Sequence, residues 1–118
     1  MQRVVPALRI TEEARSRAFY VDALGFRVDW EWRHEPELPV FMQITRGSLT
    51  LYLTQHEGDC QVGGLAYLYV PDVDTWYVEV RGQGLDAEPP VTHPWGNREM
   101  VLVDPDGNRL VVATPRPG

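Results

Sequence analysis

The order of segments in this 118-residue sequence predicts an α+β protein built from two βαβββ modules. Short stretches alternate apolar and polar residues, as half-buried strands do, and two others place apolar residues at helical spacing. The same order, strand, helix and three strands, occurs twice, with the helix starts at Thr11 and Asp72 about sixty residues apart. We therefore expect one domain of two modules, residues 1–58 and 59–118, which form curved mixed sheets.

The first module begins with the alternating strand VVPALRI. Thr11 is the expected N-cap of the next helix, because its hydroxyl can accept a hydrogen bond from a free backbone N–H. The apolar residues at helical spacing are Ala14, Ala18, Val21 and Leu24. Gly25 suits the C′ position, where the left-handed conformation is favoured. The helix is therefore expected to end just before Gly25.

Three more strands are predicted in this module. FRVDWEW (26–32) alternates, and the residues expected on one of its faces are Phe26, Val28, Trp30 and Trp32. A loop at 33–39 precedes VFMQIT and SLTLYLT, which form a hairpin that turns at residues 46–48.

The second module repeats the plan. GLAYLYV (64–70) is a strand, and Asp72 is the expected cap of a helix whose packing residues are Val73, Trp76, Tyr77 and Val80. That helix is expected to end between Gly82 and Gly84. LDAEPPVT is a weak strand interrupted by prolines, and REMVLV and NRLVVAT form a hairpin through the turn sequence DPDG.

Composition excludes several classes of function. The net charge of −6 argues against a nucleic-acid partner, because proteins that bind nucleic acids usually present basic surfaces. The sequence has no lysine, which excludes Schiff-base and P-loop chemistry. No stretch approaches the ~18 apolar residues of a membrane helix, and the first ten residues lack a signal-peptide core. Cys60 is the single cysteine, so we expect no internal disulfide and a cytoplasmic location.

AFYVDALGF in the first module and DPDGN in the second resemble the vicinal oxygen chelate superfamily, and the resemblance covers essentially the whole chain. That superfamily includes glyoxalase I, extradiol dioxygenases, and fosfomycin- and bleomycin-resistance proteins. Within it the sequence is most similar to the bleomycin-resistance proteins. The matching positions are Val5-Pro6, Asp29-Trp30, Tyr67, Tyr69 and Pro94-Trp95-Gly96. Asn97 is a one-residue insertion relative to that pattern.

The resemblance places the superfamily's four metal-ligand positions on Val5, Tyr52, Leu65 and Val111. Catalytic divalent metals in these enzymes are held by imidazole and carboxylate groups, and none of the four residues carries either. We therefore expect no metal site, no cofactor and no catalytic residue. The three histidines, His34, His56 and His93, are expected in or beside loops, where solvated surface is the ordinary interpretation. An alternative for His56 and His93 is that they face the groove as hydrogen-bond partners.

The resemblance implies ligand binding without chemistry, in a groove between the subunits of a homodimer. The family's ligands are large, partly flat and cationic, so aromatic stacking, cation–π contacts and acidic groups would suit them. The candidate ligand-binding residues are Asp29, Trp30, Trp32, Tyr52, Tyr67, Tyr69, Trp95 and Glu99. Packing in the core is an equal alternative for Trp32, Tyr52 and Tyr69. Trp95 lies among loop-forming residues and is expected to be a stacking wall.

Pro6 matches a proline at which family members exchange the N-terminal strand between subunits. A proline there removes a ladder hydrogen bond and fixes the bend of the chain. Whether this chain exchanges its strand or pairs its modules within one chain is left open by the sequence.

These observations predict a metal-independent protein that sequesters a bleomycin-type antibiotic in an aromatic, acidic groove. A second possibility is a metal-dependent glyoxalase- or dioxygenase-like enzyme, which requires ligands that the sequence lacks. A third is a binder of a different small aromatic or cationic metabolite. The third hypothesis fits the same residues as the first, and the identity of the ligand separates them.

Overall fold

Two four-stranded mixed sheets with the same strand order form the molecule in a computed structural model, which describes residues 2–115. The elements are β1 (Ala7–Arg9), α1 (Glu13–Arg17) continued by a π-helical segment (Ala18–Ala23), β2 (Arg27–Trp32), β3 (Phe41–Arg46), β4 (Leu49–Thr54), β5 (Leu65–Tyr69), α2 (Val73–Gly82), β6 (Val91–Thr92), β7 (Arg98–Val103) and β8 (Arg109–Thr114). The N-terminal sheet has the order β1-β4-β3-β2 and the C-terminal sheet the order β5-β8-β7-β6.

The repeat predicted from the sequence is confirmed by the strand pairing. In each sheet the first strand runs parallel to the last, and the other neighbouring strands are antiparallel. The predicted fold class, two βαβββ modules with curved mixed sheets, is therefore correct. No helix among residues 2–115 is long and apolar enough to cross a membrane.

Each sheet buries one face in a shared core, and its other face, which we call the open face, is only partly covered. Alternation places Met42, Ile44, Leu51 and Leu53 inside from the N-terminal sheet, and Leu68, Met100, Leu102, Leu110 and Val112 inside from the C-terminal sheet. The helices supply Tyr20, Leu24, Trp76 and Val80 to the same cluster. The two open faces are thus the surfaces that the core does not use.

The DPDGN turn joins the two sheets. The buried Asp104 carboxylate accepts hydrogen bonds from the Tyr20 hydroxyl at 2.7 Å and from the side-chain amide of Asn108 at 2.9 Å. Burial raises the pKa of the Tyr20 hydroxyl far above its ordinary value, so this group remains a donor. Asn108 also donates to the Arg9 carbonyl at 2.8 Å and accepts from the Gly64 N–H at 2.7 Å. These bonds fix the end of β1 against the C-terminal sheet.

The first helix differs from the prediction in its cap and in its buried face. Glu12 occupies the N-cap without a side-chain bond, whereas the backbone N–H of Thr11 donates to Asp106 at 3.1 Å and its hydroxyl bonds the same carboxylate. Phe19 and Tyr20 are buried and the predicted alanines are exposed. Rings bury far more apolar surface than alanine methyl groups, so burial of the rings decides the orientation. Gly25 follows the segment with φ +77°, as predicted.

The second helix agrees with the prediction. The Asp72 side chain accepts from the backbone N–H groups of Asp74 and Thr75, at 3.0 and 3.4 Å, which satisfies two free donors of the first turn. Val73, Trp76 and Val80 are buried on the inner face. The weak strand predicted between this helix and β7 is reduced to the two residues of β6.

The prediction that Phe26, Val28, Trp30 and Trp32 share one face was wrong. The register of β2 against β3 shifts between Val28 and Trp30, so Asp29 forms a β-bulge. Phe26 and Val28 face the core, whereas Trp30 is placed opposite Gln43 on the open face. The bulge therefore turns the tryptophan side chains away from the core.

Candidate functional site

The open face of the N-terminal sheet carries an aromatic cluster. Trp30 stacks on Phe41, with ring centroids 5.9 Å apart and planes 13° from parallel. The Tyr52 ring lies 5.1 Å from Phe41 and 6.0 Å from Trp30. These three side chains come from neighbouring strands in register, since Trp30 is opposite Gln43 and Gln43 is opposite Tyr52. The cluster is a preformed aromatic wall with one side toward solvent.

Trp32 extends this wall toward the loops. Trp32 is exposed, and its indole stacks with the His56 ring at a centroid distance of 6.5 Å. The His34 ring makes an edge contact with the same indole at 6.2 Å. His34 is exposed in a loop, as expected. His56 is half-buried in a loop, with its ring packed on Trp32 of the open face.

Asp29 lies on the same face, and its carboxylate is held by three neighbours. It accepts hydrogen bonds from Thr45, from Gln43 at 2.9 Å and from Arg27 at 3.0 Å, and its side chain is 17% exposed. The hydrogen bonds from Thr45 and Gln43, with the Arg27 guanidinium beside them, hold the pKa of Asp29 below its usual range. The carboxylate is therefore ionised at neutral pH, and its position is fixed.

A cavity of about 550 Å³ adjoins this wall. Its lining includes Gln2, Val5, Gln43, Thr50 and Tyr52. Two of the four expected metal positions, Val5 and Tyr52, thus face one cavity, and neither offers an imidazole or carboxylate group. The donor set does not fit the superfamily's metal, and residues 2–115 contain no group of three His, Cys, Asp or Glu side chains placed to hold an ion.

The open face of the C-terminal sheet is more aliphatic. Leu65, Tyr67 and Tyr69 project from β5, and Val101 and Val103 project from β7 on the same side. All five side chains are exposed, each by about half of its surface. We call these five exposed side chains the C-terminal apolar face. Of the remaining two metal positions, Leu65 is part of this face, and Val111 is buried on β8 between Tyr67 and Val101.

Trp95 stands at the rim of that face in the hairpin between β6 and β7. The His93 N–H donates to the Asn97 carbonyl at 2.8 Å and the Gly96 N–H donates to the His93 carbonyl at 2.9 Å, which closes the loop. Gly96 has φ +111°, a conformation that favours glycine. The Trp95 ring is 69% exposed and stacks face to face on His93, with centroids 4.2 Å apart. The hairpin therefore presents the indole outside the core.

Glu99 lies beneath this hairpin. Its side chain is 7% exposed, and one carboxylate oxygen is 3.3 Å from Nε2 of His93. The other oxygen accepts from the Asn97 amide at 3.2 Å, and the same amide reaches the Tyr69 hydroxyl at 3.4 Å. Asn97, the insertion relative to the family pattern, thus links the buried carboxylate to β5.

The eight candidate residues divide equally between the two open faces. Asp29, Trp30, Trp32 and Tyr52 lie on the N-terminal face; Tyr67, Tyr69, Trp95 and Glu99 lie on or beside the C-terminal face. Trp32, Tyr52 and Tyr69, for which the sequence allowed either the core or the groove, are not in the core. Their role in binding a ligand stays a prediction.

Phe41 was missed in the sequence. It completes the stack between Trp30 and Tyr52, and its alternation with the buried Met42 was the signal that placed it on the outer face. His93 had a groove contact as an alternative in the sequence, but its stacking on Trp95 was not predicted, because periodicity does not indicate such a contact within a loop. Pro6 lies beside β1, which pairs with β4 of its own chain, and the Pro6 carbonyl accepts from Tyr52. Strand exchange at Pro6 stays a prediction.

Comparison with known proteins gives one family. The model of a family described as "Glyoxalase superfamily protein" matches residues 1–117. No curated protein matches the sequence.

Solved structures with this fold include proteins that bind antibiotics. The bleomycin resistance determinant encoded on transposon Tn5 is 23% identical, with a TM-score of 0.80 and 98% of each chain covered. A bleomycin-binding protein solved with bleomycin is also 23% identical, with a TM-score of 0.80, covering 98% of this chain and 100% of that one. TnmS3, an antibiotic binding protein from Streptomyces sp. CB03234, is 20% identical, with a TM-score of 0.72 and 97% of each chain covered.

Proposed function

This chain belongs to the glyoxalase superfamily, and from that premise we propose that it is a metal-independent binding protein that sequesters a flat, cationic antibiotic of the bleomycin type in the cytoplasm. The single observation that carries the proposal is the exposure of aromatic side chains on both open faces. Trp30, Trp32, Tyr67, Tyr69 and Trp95 are all exposed. Rings that a fold leaves in solvent in this number are typical of a binding surface.

Charge supports a cationic ligand. The chain carries a net charge of −6, and two of its carboxylates, Asp29 and Glu99, lie beside the aromatic walls. An acidic, aromatic surface attracts a cation by long-range steering and holds it by cation–π contact. The side chains at the four metal positions lack the imidazole and carboxylate groups that the metal-dependent chemistry of the superfamily's enzymes requires.

We place the complete groove between two copies of the chain. Within one chain the candidate residues lie on two different sheets, and the C-terminal apolar face leaves a contiguous patch in solvent. Soluble monomers seldom expose such patches, which mark interaction sites. A symmetric homodimer that sets the N-terminal face of one copy opposite the C-terminal face of the other would join Trp30 and Trp95 in one groove.

A titration with metal-free bleomycin tests the proposal. Calorimetry and tryptophan fluorescence are expected to show saturable binding at one ligand per chain. Trp95→Ala is expected to weaken binding by about 1–3 kcal/mol, the scale of a lost aromatic anchor, with an unchanged melting temperature. Val78→Ala is the matched control, because Val78 is equally exposed but lies on α2.

Two results count against the proposal, one from that titration and one from metal analysis of the purified protein. Absence of heat and of quenching removes the bleomycin-type ligand and favours a different flat or cationic metabolite in the same groove. Stoichiometric Zn²⁺, Ni²⁺, Mn²⁺ or Fe²⁺ in the purified protein would instead favour a metal-dependent enzyme.

A further inference from the structure

The Trp95 platform has two layers. The imidazole of His93 covers one face of the indole, with the ring planes 5° from parallel and the centroids 4.2 Å apart. The indole remains 69% exposed, so its opposite face is the one available to a ligand. Anything that stacks on Trp95 therefore does so with His93 directly behind the ring.

The second layer is held in place by its own partners. Nε2 of His93 lies 3.3 Å from the Glu99 carboxylate, which is buried. Asn97 donates to the other oxygen of Glu99, and the loop backbone is closed between His93 and Asn97. The imidazole is thus fixed in orientation, with its edge on a carboxylate and its face on an indole.

Histidine is the side chain whose charge ordinarily changes between about pH 5 and pH 8. A neutral imidazole leaves the π-face of Trp95 attractive to a cation, whereas an imidazolium on the far side of the ring places a second positive charge against that cation. A neutral flat ligand experiences no such repulsion. The charge state of His93 consequently separates cationic ligands from neutral ones.

We infer that His93 is a specificity-determining residue of the Trp95 subsite: its protonation selectively weakens the binding of flat cations. The inference rests on the proposed function only in taking Trp95 as a ligand wall. Flat cations stack on Trp95 while the imidazole is neutral and are released when it is protonated. Neutral flat ligands bind with similar affinity to both forms.

The other groups around His93 do not supply this behaviour. Glu99 on β7 is the one carboxylate that contacts it among the described residues, and its negative charge offsets part of the imidazolium charge. Tyr69 on β5 reaches the cluster through Asn97. The strand positions that pair with Glu99 are Val91 on β6 and Ala113 on β8, which carry no charge. Arg98 pairs with Asp74 on α2.

The probes are benzamidine, a flat cation, and benzamide, its neutral counterpart. Binding is followed through the indole N–H resonance of Trp95, assigned by its loss in Trp95→Phe. We expect the affinity for benzamidine to fall about three- to tenfold between about pH 8 and pH 5.5, and that for benzamide to change less than about twofold. Equal pH profiles for the two probes would overturn the inference.

His93→Phe is the decisive variant, because phenylalanine keeps a stacked ring behind Trp95 and carries no titrating charge. It is expected to bind benzamidine at about pH 8 as the unmodified protein does and to hold that affinity at pH 5.5. A His93→Phe protein that still loses the cation at low pH would contradict the assignment, since a group other than His93 would then carry the effect.

The fragment measurement is independent of the antibiotic. If bleomycin fails to bind while benzamidine shows the expected profile, the proposed function fails and the subsite stands. If bleomycin binds but the two fragments behave alike in both proteins, the proposed function stands and the role of His93 is wrong.

Discussion

The two open faces have the same strand topology and different surfaces. On the N-terminal face the rings support each other, since Trp30, Phe41 and Tyr52 are in mutual contact and Asp29 is tied to Thr45 and Gln43. On the C-terminal face the sheet offers separate tyrosines, valines and a leucine, and the tryptophan, Trp95, is carried by a loop. The repeat therefore specifies the scaffold, while the bulge in β2 and the loop before β7 specify what each face presents.

The largest effect is expected from Val101→Asp, which places a charge in the middle of the C-terminal apolar face. If that face is covered by a second copy, an unpaired buried carboxylate costs several kcal/mol and the dimer dissociates. Light scattering is expected to give the mass of one chain, and bleomycin affinity to fall more than about 100-fold. Val78→Asp is the control, because Val78 is exposed on α2. Identical masses for the two variants would show that the apolar face is not an interface.

Substituting the two tryptophans in parallel sharpens the comparison. Trp30→Ala removes packing on Phe41 and Tyr52, so we expect a loss of about 1–2 kcal/mol of unfolding free energy as well as weaker binding. Trp95→Ala is expected to weaken binding alone, because its ring is exposed at a hairpin tip. Urea unfolding beside calorimetry separates the two effects. A Trp95→Ala protein that is as destabilised as Trp30→Ala would mean that the indole packs as part of the fold.

The smallest effect is expected at Asp29, and it depends on pH. Folding lowers the pKa of Asp29 below its ordinary value of 3.8. The ionised carboxylate therefore stabilises the fold at any pH above that ordinary value. This stabilisation is lost as the pH falls through the lower pKa of the folded protein. Asp29→Asn should therefore lower the melting temperature by roughly a few degrees at pH 7 and by less at low pH. Scanning calorimetry at both values checks the sign. A larger deficit in acid would contradict it.

The sequence predicted what local rules determine. Asp72 caps α2, Gly25 takes a positive φ, and the turn sequences fall between paired strands, because each depends on a few neighbouring residues. The bulge at Asp29 was missed since it depends on how β2 pairs with β3. Thr11 was misassigned because its partner, Asp106, is 95 residues away. The stacking of His93 on Trp95 belongs to a loop conformation that no spacing encodes.

The measurement that tests the account most directly is complementation between two binding-deficient variants. Trp30→Ala and Trp95→Ala are unfolded together, refolded as a mixture and titrated with metal-free bleomycin. If the groove joins the N-terminal face of one copy to the C-terminal face of the other, each mixed dimer contains one groove with both tryptophans. Roughly a quarter of all grooves should then bind with the affinity of the unmodified protein. A mixture that binds no better than the two variants separately would contradict a groove shared between copies.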